Sequence, residues 1–191
     1  MVDGLAVHWY HDSSTSPTIL SEAHAKLNGK WMLYTEACNT GGTKPGQWSQ
    51  GDTYMQRIMA ILQNWVTGWV DWNMCLDPRG GPNWVGNFVD APILVSNTTD
   101  EFEKQPMYYA LGHLAKFIVP DSVMIGINKM GLTSSTNIDS VAALTPSGQK
   151  VVVLNNKDGS ATYQISIINK QGGVINLSLE PKSFTTIVYS D

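Results

Sequence analysis

Charge is scarce in this 191-residue chain: Asp, Glu, Lys and Arg together make up 15% of it. The net charge is −4 and no basic run occurs. Nucleic acid, which demands clustered cations along its phosphates, is therefore not an expected partner. Cysteine is also rare. Cys38 and Cys75 are the two present, too few for a disulfide framework and without zinc-type spacing. Both read as free thiols. No apolar run is long enough to span a bilayer, and no signal peptide opens the chain. His8 and His11 stand three apart with no third ligand nearby, so neither a metal nor a cofactor is expected. Aromatics, by contrast, are plentiful, with seven Trp and seven Tyr. Such side chains join a flat apolar body to a polar tip, which suits core packing and stacking on sugar rings alike. Two glycosylation triplets, Asn97-Thr98-Thr99 and Asn176-Leu177-Ser178, are compatible with a secretory route.

The chain changes character near Asp121. Before it, strand-like and helix-like runs alternate. "LAVHWY" (Leu5–Tyr10) reads as a buried strand, and "SPTILSEAHAKL" as a helix with Ser16 as N-cap and Pro17 in the first turn. "WMLYT" (Trp31–Thr35) reads as the second strand. Residues 52–65 read as a helix capped by Asp52, with Met55, Ile58, Met59 and Leu62 along one face. "VTGWVDWNM" (Val66–Met74) reads as the third strand, followed by a long Gly-, Pro- and Asn-rich loop to about Ala91 and a helix over 104–118. Strand-helix alternation implies parallel strands with crossover helices. After Asp121 six short strands are separated by turn signals such as "PSG", "KDGS" and "KQGG", which argues for an antiparallel sheet or sandwich. The expected organisation is an α/β block over 1–120 and an all-β block over 122–191.

Three strands with helices between them suit part of an eight-stranded β/α barrel, where chemistry gathers at the carboxyl ends of the strands. His8, Trp9 and Tyr10 end the first strand, Glu36 ends the second, and Asp71, Trp72 and Asn73 end the third. A carboxylate among Trp, Tyr, His and Asn suits glycoside hydrolysis, which in the retaining form needs two carboxyl groups about 5 Å apart. Glu36 could serve as nucleophile, with Tyr10 as hydrogen-bond donor and Trp72 as a platform for the sugar. Plainer readings stand beside these. Glu36 could be a solvated carboxylate at a strand end, Trp9 and Trp72 core aromatics, and Asp71 a structural acid. Cys38 would need an adjacent base to act as nucleophile and reads better as a free thiol near the site.

The stretches "VHWY", "TEAC", "VTGWVDWN", "GGPNWVGNFVDAPI" and "KQPMYYALGHLAKFI" closely resemble the carboxyl-terminal part of the glucosylceramidases, the acid β-glucosidases of glycoside hydrolase family 30. The resemblance covers the whole chain and is densest up to Ile118. It implies a (β/α)8 barrel joined to a β-sandwich, and a retaining hydrolysis of glucosylceramide to glucose and ceramide. Glu36 falls on the family's nucleophile, Tyr10 on the tyrosine near it, and Trp72 and Asn87 on sugar-contacting positions. His8, Trp9, Cys38 and Asn73 fall near the site. A glycolipid substrate, a saposin-type activator and a membrane surface are the implied partners, in a lysosomal or secreted parent protein.

The departures matter equally. The chain begins at what would be the sixth barrel strand, so the amino-terminal half of the barrel is expected to be missing. With it goes the acid/base carboxylate, which the family carries after an Asn. No Asn-Glu pair occurs here, and Glu22, Glu101, Glu103 and Glu180 are not credible replacements. The 191 residues alone are therefore expected to be inactive. The alternative is a truncated, non-catalytic paralogue that binds sugar or protein.

Overall fold

In the computed structural model, residues 2–133 and 136–190 are described, and they form two compact units, 1–110 and 111–191. The first is built on three parallel strands in the order β1 (Gly4–His8), β2 (Trp31–Glu36), β3 (Val66–Trp69). Helices α1 (Thr18–Lys26) and α2 (Trp48–Leu62) make the crossovers. This is the β/α alternation read from the sequence. Its boundaries differ at four places. β1 stops at His8, and Trp9–His11 turn into a 3-10 helix. Tyr10 is thus presented from a turn and not from a strand. β3 stops at Trp69, because Asp71 folds its own carboxylate back onto the Trp72 N–H. Asp52 is not a cap: α2 starts a turn earlier, at Trp48, and Asp52 is buried within it. α1 begins at Thr18 with Pro17 in the capping position, while Ser16 Oγ accepts a long bond from the Thr18 N–H, 3.4 Å.

The inner face of α2 carries Gly51, Tyr54, Met55, Ile58, Met59 and Ile61, all buried, at the three- and four-residue spacing of one helical face. Gly51 permits a close approach. A Cβ built there would lie 2.8 Å from Pro106 Cβ and 2.9 Å from the Pro106 carbonyl oxygen. Pro106 opens the third helix, α3 (Pro106–Ala115).

The stretch read as a loop to about Ala91 is flanked by β4 (Cys75–Leu76) and β5 (Ile93–Val95), which pair in parallel, and β6 (Phe102–Lys104), antiparallel to β5, takes Lys104 from the segment read as a helix over 104–118. Strands this short leave no alternation to detect. A small core of Cys38, Leu76, Val89, Ala91 and Leu94 fastens this sheet to the segment after β2.

The described residues of the second unit form six strands, all anticipated: β7 (Val123–Ile125), β8 (Ile138–Leu144), β9 (Lys150–Asn156), β10 (Tyr163–Ile168), β11 (Val174–Leu179) and β12 (Ser183–Tyr189). Four form an antiparallel sheet in the order β12-β9-β8-β7, and β10-β11 form a hairpin. Ala142, Val152 and Leu154 of the sheet pack with Ile165, Leu177 and Leu179 of the hairpin, so two layers enclose one core, as in a sandwich. Buried Asn156 ties its edge, donating to the carbonyls of Ala161, Leu179 and Glu180.

Candidate active site

Plain strand alternation would put Glu36 on the face of Met32 and Tyr34, which are 0% and 3% exposed. It does not stay there. Val7 pairs with Tyr34 but His8 pairs with Glu36, so β2 has one extra residue at its end. Such a bulge breaks the alternation and re-aims the side chain that follows. The Glu36 side chain is 20% exposed, accessible but well held.

Tyr10 does much of the holding. Its hydroxyl donates to Glu36 Oε1 at 2.8 Å and lies 3.5 Å from Cys38 Sγ. Burial, with the hydrogen bonds to Cys38 and Glu36, raises the Tyr10 pKa well above the usual phenol range. The phenol therefore remains a donor at any physiological pH. His8 approaches the other carboxylate oxygen, with Nε2 3.7 Å from Oε2, and its ring meets the Tyr10 ring edge-on. Cys38 is buried and unbridged, and burial raises its pKa too. A thiol held neutral in this way is a poor nucleophile, which agrees with its reading as a bystander.

Beneath these groups lies an aromatic layer. Trp9 and Trp69 meet edge-on at 5.5 Å, Trp9 and Tyr54 at 5.0 Å, and Tyr34 stacks on Trp69 at 5.8 Å. Each such pair adds roughly 0.5–1.5 kcal/mol beyond burial. Trp9 also donates from its indole N–H to the Cys38 carbonyl, 3.0 Å. It is thus both a core aromatic and a clamp on the segment carrying Glu36.

Asp71 lies beside this layer. Its Oδ1 accepts from the Tyr54 hydroxyl at 3.3 Å and the Trp72 N–H at 2.9 Å. Burial pushes its pKa up to about 7, although these hydrogen bonds pull the other way. The Trp72 N–H also reaches the Ala37 carbonyl at 2.8 Å, so Trp72 is moored to the residue next to Glu36. Trp72 is 50% exposed, so it is not a core aromatic. Asn73 follows it, half-buried.

Asn87 is exposed on the loop 83–88, whose turn is held by Asn83: the Val85 and Asn87 N–H groups donate to Asn83 Oδ1. Backbone bonds then join this loop to the one after β2, from Gly42 N to Phe88 O and from Asp90 N to Asn39 O. Asn87 therefore shares a rim with Glu36 through the backbone, and its side chain makes no contact with Glu36 among those described.

Asp90 was not anticipated. It is 1% exposed and accepts from the Lys44 N–H at 3.1 Å and the Ala91 N–H at 2.9 Å. Burial raises its pKa. It locks the loop after β2 onto the segment before β5. A single acid amid the apolar run of "NFVDAPI" was the available signal. Gln105, 0% exposed, holds the same loop by accepting from the Gly46 N–H at 2.9 Å.

Residues 1–118 match the glycosyl hydrolase family 30 TIM-barrel domain, and residues 121–187 match the glycosyl hydrolase family 30 β-sandwich domain. The chain is 37% identical over 194 aligned residues to putative glucosylceramidase 4 of Caenorhabditis elegans, covering 98% of this chain and 37% of that protein. It is 41% identical over 162 residues to the lysosomal acid glucosylceramidase of Mus musculus, covering 82% of this chain and 31% of that protein. A more distant relative, 28% identical over 90% of this chain and 34% of that protein, is an endo-1,6-β-D-glucanase of Aspergillus fumigatus. The crystal structure of SrfJ from Salmonella typhimurium superposes on the whole chain and 41% of its own, with a TM-score of 0.86 at 24% identity. The chain thus spans about a third of the length of these curated relatives. It belongs to glycosyl hydrolase family 30, contributing barrel strands and a β-sandwich to that family's two-domain architecture.

Proposed function

We propose that these residues form the nucleophile side of a retaining β-glucosidase that hydrolyses glucosylceramide to glucose and ceramide. The observation that carries the reading is the 2.8 Å hydrogen bond from Tyr10 to Glu36 at the carboxyl end of a parallel strand. A nucleophile must be ionised and held near the anomeric carbon. Tyr10 supports both by donating to the charged form and fixing one oxygen. Oε2, which His8 approaches at 3.7 Å, is then the attacking oxygen. As the glycosyl-enzyme ester forms, the carboxylate loses its charge, and the neutral phenol stays in place for the return step. Trp72 offers a face for the apolar side of the ring, and Asn87 a polar group for its hydroxyls.

The proton donor to the leaving oxygen is proposed to come from outside these residues. Among the described residues, the side chains that pair with the Glu36 carboxylate are Tyr10 and His8, and neither is a carboxyl. Glucosylceramide, in place of a glucan, is supported by the higher identity to the glucosylceramidases than to the glucanase. A glycolipid substrate implies work at a membrane surface. Trp84 and Val85, 103% and 85% exposed at the loop tip, are side chains suited to an interface. A saposin-type activator is proposed on the same ground. A lysosomal or secreted setting is supported by exposure of both sequon asparagines, Asn97 and Asn176.

The test is hydrolysis of glucosylceramide by the protein carrying these residues, followed by NMR. The reading expects the β-anomer of glucose as first product, and loss of turnover in Glu36→Gln. An α-anomer, or activity surviving that substitution, refutes it.

A further inference from the structure

The turn that carries Tyr10 is three residues long, Trp9–His11, and no side chain caps its start. The regular pairing of β1 with β2 ends just before it, at Val7 and Tyr34, where the bulge intervenes. Backbone register alone therefore does not fix where the Tyr10 ring stands relative to Glu36. Two side-chain bonds besides Tyr10's own anchor the turn. At its start, the Trp9 indole N–H donates to the Cys38 carbonyl at 3.0 Å. At its end, Asp12 Oδ1 accepts from the Tyr34 hydroxyl at 3.0 Å. Asp12 is tied into the turn itself, because its N–H donates to the Trp9 carbonyl at 2.9 Å.

The two anchors grip the chain on either side of Glu36. Cys38 lies two residues beyond it, and Tyr34 two residues before it, as the last residue in regular register. A turn held at one point can pivot about that point; a turn held at two cannot. The Tyr34 end is rigid, since its side chain is 3% exposed and stacks on Trp69 at 5.8 Å with 12° between the rings. Burial and the Asp12 carboxylate raise the pKa of the Tyr34 hydroxyl well above the usual phenol range, so it stays a donor. The acceptor is maintained as well. Burial favours a neutral Asp12, and both the Tyr34 hydrogen bond and the Arg57 charge pull the other way.

We propose that Asp12 is a positioning residue: by accepting from the Tyr34 hydroxyl it holds the turn so that the Tyr10 hydroxyl meets the Glu36 carboxylate. The assignment rests on the reading of Glu36 as a nucleophile steadied by Tyr10. Asp12 takes no part in bond making and acts through Tyr10 alone. A misplacement of 1 Å near the reacting atoms can cost on the order of a hundredfold in rate. Loosening the turn while leaving Tyr10 in it is expected to cost less than that.

The test is a double-mutant cycle on the protein carrying these residues. Dinitrophenyl 2-deoxy-2-fluoro-β-glucoside is the probe, and release of dinitrophenolate gives the trapping rate constant and the probe affinity separately. Tyr34→Phe deletes the hydroxyl and keeps the stack on Trp69. It should lower the rate constant about tenfold with affinity unchanged, and in a Tyr10→Phe background it should cost less than about twofold more. Asp12→Ala should match Tyr34→Phe, and Asp12→Asn, which keeps an oxygen for the Tyr34 hydroxyl, should recover most of that loss. Circular dichroism verifies each fold. A parent-like rate in Tyr34→Phe, a loss as large with Tyr10 removed as with it present, or a loss in affinity alone overturns the proposal. Failure of the nucleophile reading looks different: the label then lands away from Glu36 in the parent protein. Urea denaturation over the same cycle decides the proposal in that case. Non-additive midpoint losses for Tyr34→Phe and Tyr10→Phe support it, and additive losses overturn it.

Discussion

Asp71→Asn should make the protein more stable at neutral pH, by an amount that vanishes in acid. The Asp71 carboxyl has an ordinary pKa of 3.8 when exposed and about 7 in the fold, and burial is the main cause. A folded-state pKa raised in this way means that the folded protein binds more protons than the unfolded one between those two values. Stability therefore falls as pH rises from about 4 to about 7, and the full penalty is present above that window. The gap corresponds to a penalty on the order of 4 kcal/mol. Asparagine has the same shape and still offers an oxygen to the Tyr54 hydroxyl and the Trp72 N–H; its amide faces the Asn73 N–H and the Trp69 indole, which also favour the carboxylate, and that constant cost offsets the curve without changing its slope. It has no proton to lose. Urea denaturation followed by tryptophan fluorescence, from pH 4 to pH 8, measures both proteins. Asp12 and Asp90, whose pKa values burial also raises, titrate in both and cancel in the difference. The stability of the variant minus that of the parent should grow by a few kcal/mol across the window. A difference that is flat with pH, or that grows toward acid, would refute the assignment of Asp71 as a buried, reluctantly ionised carboxyl.

Other outcomes follow from the same geometry. Tyr10→Phe removes the donor to Glu36 and should slow formation of the glycosyl-enzyme by about a hundredfold, the scale for losing one preorganised donor; burst kinetics with an activated β-glucoside measure it. Asp90→Ala leaves the buried Ala91 N–H and the part-buried Lys44 N–H without their acceptor, and should cost about 1–3 kcal/mol in urea denaturation. Gly51→Ala forces a methyl against Pro106 and should cost about 1–3 kcal/mol by the same assay. Trp84→Ser with Val85→Ser should weaken vesicle sedimentation severalfold and leave hydrolysis of a water-soluble β-glucoside unchanged.

Much of the fold is written in local periodicity. Met55, Ile58 and Met59 announce α2 by a helical period with one buried face, and the unbroken apolar run after Lys150 announces β9, which is buried on both faces. The boundaries escape where tertiary contacts override that pattern. Asp52 has the chemistry of a cap, yet the helix continues through it because Trp48 to Gly51 can be helical as well. β4 and β5 exist because Cys38, Val89 and Leu94 pack together, a contact between distant segments that no short window reveals. At the site, the hydrogen bond from Tyr10 to Glu36 was legible from strand ends and resemblance. The device that turns Glu36 out of the buried face was not, since a one-residue bulge is a property of two strands in register. Asp71 was left between a structural and an active role, and it accepts hydrogen bonds from the Tyr54 hydroxyl and the Trp72 N–H. Asp90 and Gln105 were silent for the same reason as β4: their partners lie 46 and 59 residues away.

The account turns on Glu36 as the atom source that bonds to the sugar. A 2-deoxy-2-fluoro-β-glucoside with a dinitrophenolate leaving group tests this directly, since so good a leaving group departs without a proton donor. Peptide mass spectrometry after incubation should find the fluoroglucosyl group on Glu36. Attachment to Asp71, Cys38 or any other side chain would contradict the account.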